Sequence, residues 1–105
     1  MHTVDAPTAY TATQILYGDF FGETDPISPE DVSVGPDGSI YIADGTRCKV
    51  YKITSDLKET HSYQKFMMND EEISFQTPTG VFATEKGEVF VADSGSRYIY
   101  VFDEN

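Results

Sequence analysis

A chain of 105 residues has room for one small domain, and its 18 acidic against 7 basic side chains give a formal net charge of −11. That charge argues against nucleic acid and anionic membranes as partners, because their phosphates would repel it. The single cysteine, Cys48, excludes an internal disulfide. The first ten residues lack a basic region followed by an apolar core, so they predict no export signal.

The chain before residue 29 predicts two regions. Residues 1–9 show no periodicity and predict a flexible tail. Residues 10–28 follow, and within them the stretch TATQILY, Thr11 to Tyr17, is rich in residues typical of strands. We therefore expect one outer strand and a linker ahead of the first regular unit.

An internal repeat dominates the rest of the chain. The stretch from Pro29 to Ile53 recurs 49 residues later, from Pro78 to Phe102, without a gap. In each copy the apolar residues alternate over three short runs, which is the period of β-strands. The first two runs are separated by four residues that end in glycine, Gly35 to Gly38 and Thr84 to Gly87. These connections predict tight hairpins.

The segments around the two copies extend the predicted sheets. THSYQKFMM, Thr60 to Met68, predicts a fourth strand after the first copy, so the first unit spans 29–68. An acidic linker, 69–77, predicts a solvated loop, and the second unit, 78–105, has three strands. Because apolar side chains occupy both faces of these strands, each sheet needs a neighbour on each side.

The motifs of the second copy follow a recognisable order. PTGV leads to a turn that ends in glycine, then to VFVAD, a small polar turn with arginine, and YIYVF. This order resembles the NHL repeat, whose units are four-stranded blades of a β-propeller. The first copy departs from it with Asp31 in place of Gly80 and Cys48 in place of Arg97. The resemblance implies an all-β fold with two consecutive four-stranded antiparallel blades, the second incomplete or completed by an N-terminal strand.

A closed propeller typically needs four to eight blades, and this chain supplies fewer than three. We therefore expect it to be part of a longer propeller, with further blades in the same chain. One alternative is an open pair of blades with exposed apolar faces. The other is self-association, in which the lone strand near Ile15 completes the three-stranded last blade of another copy. Three such chains would form six blades, so this alternative predicts a trimer.

Two pairs of polar residues are candidates for ligand or partner binding. Asp44 and Asp93 end the second strand of each copy, where a carboxylate can line a binding site or accept hydrogen bonds from the next turn. Arg47 and Arg97 follow in the same turns, where a guanidinium can bind an anionic ligand or pair with a nearby carboxylate. For both pairs the local structural role is the favoured interpretation.

The sequence predicts no catalytic residue, no metal site and no cofactor. The serines of DSGS lack a base, since one histidine lies in the tail and the other, His61, in an outer strand. His61 and Cys48 are too few ligands for zinc. The resemblance to propellers makes the starts of the innermost strands face a central channel, and there Glu30 and Asp31 are the channel-facing candidates.

Two functions remain open. The first is a non-catalytic NHL-type binding or scaffold module for a protein, peptide or small molecule. The second is a fragment of a propeller enzyme, similar to metal-dependent lactonases and lyases, whose catalytic site needs blades beyond this sequence. The resemblance also makes an extracytoplasmic location plausible, because many proteins with such repeats are exported or membrane-anchored.

Overall fold

The computed structural model describes residues 11–103, and in that range the protein is all-β with no α-helix. One short 3-10 helix, Gly18–Phe21, precedes the strands. Nine strands follow, in chain order: β1 (Pro29–Val34), β2 (Ile40–Asp44), β3 (Lys49–Ile53), β4 (Thr60–Tyr63), β5 (Lys65–Met68), β6 (Glu71–Ser74), β7 (Pro78–Ala83), β8 (Val89–Asp93) and β9 (Tyr98–Phe102). The described residues include no helix long and apolar enough to cross a bilayer. The predicted tail, 1–9, lies outside the described residues.

The strands form three antiparallel sheets. The first sheet has the order β1-β2-β3-β4, the hairpin sheet is β5-β6, and the last sheet has the order β7-β8-β9. The sequence repeat is also a structural repeat, because β7, β8 and β9 have the bounds of β1, β2 and β3 shifted by 49 residues. Both copies also have an irregular register after their first proline. The three predicted strands of each copy are confirmed.

The glycine-ended turns take the predicted form. The N–H of Gly38 donates to the carbonyl of Gly35 at 3.0 Å, and that of Gly87 donates to Thr84 at the same distance. Both glycines have positive φ, 85° and 87°, a conformation in which a residue with a side chain would be strained. Glycine therefore ends each turn for a conformational reason, and the two hairpins are confirmed.

Alternation divides each repeated sheet into a front face and a back face. The front face of the first sheet carries Val32, Val34, Ile40, Ile42, Tyr51 and Ile53. Its counterpart in the last sheet carries Val81, Ala83, Val89, Val91, Tyr100 and Phe102. The back face of the first sheet carries Asp31, Ser33, Tyr41, Ala43, Val50 and Lys52. The equivalent residues of the last sheet are Gly80, Phe82, Phe90, Ala92, Ile99 and Val101.

The main core lies between the two repeated sheets. The back face of the first sheet packs on the front face of the last sheet, with Ala43 and Val50 in one cluster with Val81, Val91 and Tyr100. Removal of these apolar side chains from water favours association of the two sheets. Stacking neighbouring sheets in this way is the packing that the repeat predicts.

A segment ahead of β1 covers the front face of the first sheet. Within this cap segment, defined as residues 16–27, Phe21 is 5% exposed and packs against Tyr51 with ring centroids 5.0 Å apart. Leu16, Phe20 and Ile27 join the same cluster. The cap segment therefore covers the front face around β2 and β3, while Val32 and Val34 of β1 stay exposed on the same face.

The predicted strand at Thr11 to Tyr17 is wrong, because residues 11–17 have no regular secondary structure. The physical reason is that burial of Leu16 and Phe21 against the first sheet outweighs strand pairing. The chain then turns at Gly18, where a Cβ would lie only 2.3 Å from the carbonyl oxygen of Asp25. This close approach holds the 3-10 helix against the following loop.

The predicted fourth strand and acidic linker are also corrected. Thr60 to Met68 divides into β4, which completes the first sheet, and β5, which pairs with β6 inside the supposed linker. Asn69 and Asp70 have positive φ, 51° and 64°, and form the tight turn between β5 and β6. Phe66 and Phe75 then reach the main core, where their ring centroids are 5.2 Å apart. Apolar burial of this hairpin explains why 69–77 is not a solvated loop.

Candidate functional site

Asp44, at the end of β2, is fully buried and joins three parts of the first sheet. Its Oδ1 accepts the N–H of Arg47 in the next turn at 3.1 Å, and its Oδ2 accepts the N–H of Ser28, just before β1, at 3.1 Å. The hydroxyl of Tyr51 is 3.5 Å from the same Oδ2. The carboxylate therefore ties the end of β2 to the start of β1, and its oxygens are not free to hold a ligand.

Asp93 makes the equivalent connection in the last sheet. Its Oδ2 accepts the N–H of Gln76 and its Oδ1 the N–H of Thr77, both at 2.7 Å. Its Oδ1 also accepts the N–H groups of Gly95 and Ser96 in the next turn. Burial acts to raise the pKa of Asp93, but these hydrogen bonds outweigh it and hold the pKa below its ordinary value. The geometry is that of the turn-capping role that the sequence favoured.

The two arginines do not occupy equivalent positions. Arg47 lies at the position of Ser96, and its guanidinium is 3.5 Å from Asp44 and 3.8 Å from Glu23. Arg97 lies at the position of Cys48, is exposed, and has a φ of 68°. The structure thus brings Arg47 into a charged cluster and leaves Arg97 on the surface of its turn.

Glu23 is the residue of this cluster that sequence reasoning missed. Its Oε2 accepts hydrogen bonds from Lys49 Nζ at 2.7 Å and from Tyr51 Oη at 2.8 Å. These two bonds, Lys49 first, lower the pKa of Glu23, while burial and then Glu23 itself raise the pKa of Tyr51 above its usual range. The cluster fastens the cap segment to the first sheet, and no sequence motif marks it because Glu23 lies outside the repeat.

Asp31, a channel-facing candidate, connects the two repeated sheets. Its Oδ1 accepts the N–H of Val32 at 2.9 Å and its Oδ2 the N–H of Val81, in β7, at 3.0 Å. Ser33 Oγ accepts the N–H of Ala83, also in β7, at 2.9 Å. We call Asp31 and Ser33 the clasp, because their side chains accept hydrogen bonds from N–H groups on the edge of β7 that does not pair with β8. Glu30, the other candidate, is exposed.

The remaining polar candidates lie apart from one another in the part of the chain that the structure describes. No group of three or more His, Cys, Asp and Glu side chains among them is arranged to hold a metal ion. Ser94 Oγ donates to the carbonyl of Thr77 at 3.3 Å, and Cys48 Sγ donates to the carbonyl of Gln76 at 2.8 Å. His61 is exposed on β4. Each of these side chains is in a surface or local structural setting.

The back face of the last sheet carries several exposed apolar side chains. Phe82, Ile99 and Val101 are 63%, 67% and 53% exposed. β9 is also the outer strand of its sheet, so its second edge has no strand partner among residues 11–103. Contiguous exposed apolar side chains on a soluble protein mark interaction surfaces, and an unpaired strand edge can add a further strand.

Comparisons with known proteins add no family assignment. No protein-family model matches the chain, and no curated protein is significantly similar to it.

Proposed function

We propose that this chain is a non-catalytic binding module, an NHL-type pair of β-propeller blades that associates through the back face of its last sheet. The observation that carries this proposal is the exposure of Phe82, Ile99 and Val101 on one face of the last sheet. The residues that would have supported chemistry are engaged otherwise, since Asp44 and Asp93 bind backbone N–H groups. The carboxylates of these two candidates are thus engaged within the sheets, which favours the apolar face as the binding surface.

The contact between the two repeated sheets indicates what kind of surface would cover the open back face. The equivalent surface of the first sheet, its back face, is buried by the front face of the last sheet. The back face of the last sheet is the equivalent surface of the second copy, so we expect its partner to be an apolar β-sheet surface. The partner is either a further blade of the propeller or another copy of this chain.

Among copies of this chain, pairing of two open back faces is the arrangement that requires least change. A head-to-tail stack would place the back face of one last sheet on the front face of another first sheet. That front face already carries the cap segment with Phe21 buried against Tyr51. The back face of the last sheet is free in each copy, and a two-fold axis would pair these two faces in a closed dimer.

Sedimentation velocity from 1 μM to 1 mM tests the proposal. We expect concentration-dependent dimer formation, and we expect Ile99→Lys to abolish it because a charge cannot be buried unpaired in an apolar contact. Ile15→Lys is the matched control, because Ile15 has the same 67% exposure but lies outside the sheets. This control is expected to associate like the unmodified chain.

Three other outcomes would contradict this proposal or favour a different one. A monomer at every concentration contradicts pairing through the back face. A trimer that Ile15→Lys abolishes favours strand exchange by the N-terminal segment. A divalent ion that raises Tm in the unmodified chain but not in Asp31→Ala favours the fragment of a metal-dependent propeller enzyme.

A further inference from the structure

A cleft opens between the first sheet and the last sheet, away from the clasp. Its volume is about 370 Å³. One wall is the back face of the first sheet with Tyr41 and Lys52, and the other is the front face of the last sheet with Val89 and Phe102. Phe75 closes it on the side of the hairpin sheet. The cleft thus uses all three sheets, and it is separate from the open back face.

The walls of the cleft are aromatic and aliphatic. Phe66 approaches Phe102 and Tyr100 with ring centroids 5.0 and 4.8 Å apart, in edge-to-face arrangements. Such rings present both flat faces and polar edges to a planar guest. The volume lies at the lower end of the 300–1,000 Å³ that is usual for small-molecule sites. The size and lining therefore fit one small planar ligand.

One cationic side chain gives the cleft a chemical preference. Lys52 Nζ lies over the ring of Tyr41, 5.7 Å from its centroid. No carboxylate of the described residues is within 4.0 Å of this ammonium. Lys65, the second lysine of the cleft, is 3.6 Å from Glu72. Asp37 acts on Lys52 through its charge at longer range, so Lys52 makes no close ion pair with the described residues. Beside aromatic walls this ammonium favours an anionic guest, although the net charge of −11 acts against one.

We propose that this cleft binds a small planar aromatic carboxylate, with its rings between the two sheets and its carboxylate paired with Lys52. This site goes beyond the proposed function and does not depend on it, because none of its walls belongs to the open back face. Asp103 also lines the cleft, and its carboxylate opposes the binding of an anion. The account therefore predicts opposite effects for the removal of Lys52 and of Asp103.

Two probes of matched shape test the proposal by ¹H–¹⁵N NMR titration. The first is 2-naphthoate, which carries the carboxylate, and the second is 2-naphthamide, which is neutral and of nearly the same size. We expect 2-naphthoate to bind about tenfold more tightly. We also expect the amide signals of Val50, Lys52 and Val89 to shift, and those of Ile99 and Val101 to stay in place.

Three variants complete the test. Lys52→Gln should remove the preference for 2-naphthoate, whereas Lys86→Gln, which makes the same charge change at an exposed turn position, should keep it. Asp103→Asn should strengthen binding of 2-naphthoate a few-fold and leave 2-naphthamide unchanged. Unchanged chemical shift dispersion in each free variant shows that it is folded.

Equal affinity for the two probes, shifts confined to the open back face, or no binding at millimolar probe overturns the proposal. An equal loss of preference in Lys52→Gln and Lys86→Gln also overturns it, because net charge would then explain the result. The sedimentation behaviour of the chain is read separately, so failure of the cleft and failure of the back face are distinguishable.

Discussion

The first sheet and the last sheet contain equivalent copies of three strands, yet the rest of the chain covers their faces to different extents. The first sheet is covered on its back face by the last sheet and, around Tyr51 and Ile53, on its front face by the cap segment. Val32 and Val34, at the β1 edge of that front face, stay exposed. The last sheet is covered on its front face only, and its back face is exposed. The repeat therefore determines how each sheet folds, while residues outside the repeat determine which faces remain available.

Two substitutions within the repeat sharpen this contrast. Asp31 and Ser33, which form the clasp on β7, correspond to Gly80 and Phe82 in the last sheet. A glycine and a phenylalanine cannot accept hydrogen bonds through their side chains. A surface that packed on the back face of the last sheet would therefore contact apolar side chains without an equivalent of the clasp. The back face of the last sheet is therefore suited to an association whose geometry is less fixed than that of the clasped contact between the first and last sheets.

The largest expected effect comes from the cap segment. Phe21→Ala removes a ring that is 5% exposed on the front face of the first sheet, and we expect it to lower the free energy of unfolding by about 4 kcal/mol. Phe82→Ala is the matched control, because Phe82 is 63% exposed on the open face. Its expected effect in dilute protein is below about 0.5 kcal/mol. Urea denaturation measures both, and equal losses contradict the contrast between the two faces.

The second prediction concerns the buried aspartate of the last sheet. Asp93→Ala leaves the N–H groups of Gln76 and Thr77 without their acceptor, so we expect a loss of about 3 kcal/mol. Because folding lowers the pKa of Asp93, its contribution is fully present above the unfolded pKa of about 3.9 and is lost as pH falls through the folded pKa. The variant should therefore show a shallower fall in stability below pH 4. An unchanged acid profile would show that another carboxyl group controls this transition.

The clasp has a smaller expected effect. Asp31→Ala removes the acceptor of the Val81 N–H at the contact between the sheets, and we expect a loss of about 1 kcal/mol because Asp31 is itself exposed. Hydrogen exchange should become faster at Val81 than at Val91, which lies on the neighbouring strand β8. Uniform acceleration across the last sheet would instead indicate general loosening without a specific clasp.

The smallest expected effect compares equivalent turns. Arg97 and Cys48 have φ values of 68° and 59°, in the left-handed region that favours glycine. Arg97→Gly is expected to raise the free energy of unfolding by about 0.5 kcal/mol, because relief of strain exceeds the added entropy of the unfolded chain. Cys48→Gly should gain less, since it loses the bond from Sγ to the carbonyl of Gln76. Thermal denaturation under identical conditions compares them, and a lower Tm for Arg97→Gly contradicts this account.

How much the sequence predicts depends on whether the signal is local. The three strands of each copy, the glycine-ended turns and the capping role of Asp44 follow from alternation and turn chemistry, which are properties of neighbouring residues. The strand predicted for Thr11 to Tyr17 is wrong because the conformation of this stretch depends on the distant front face, against which Leu16 packs. The Asn69-Asp70 turn carried a local signal, since Asn and Asp tolerate positive φ, but the acidic run was interpreted by charge alone.

The sequence identified the candidate site residues more readily than it identified their contacts. Asp31 was placed at the start of the innermost strand, yet its bond to the N–H of Val81 joins residues 50 positions apart. Arg47 meets Glu23 because the cap segment packs on the first sheet, whereas Arg97 lies in the turn of the last sheet, one position later in the repeat. Such contacts depend on packing between sheets and between the cap segment and the first sheet, which periodicity does not encode.

The most direct test of the contrast between the two sheets is the concentration dependence of methyl NMR shifts. Ile99 and Val101 are exposed on the open back face, and Val32 and Val34 are comparably exposed on the first sheet, at 60% and 62%. We predict that the methyl signals of Ile99 and Val101 shift as the protein is concentrated from 10 μM to 1 mM, while those of Val32 and Val34 do not. Shifts confined to Val32 and Val34, or no shift at any of the four residues, would contradict the account.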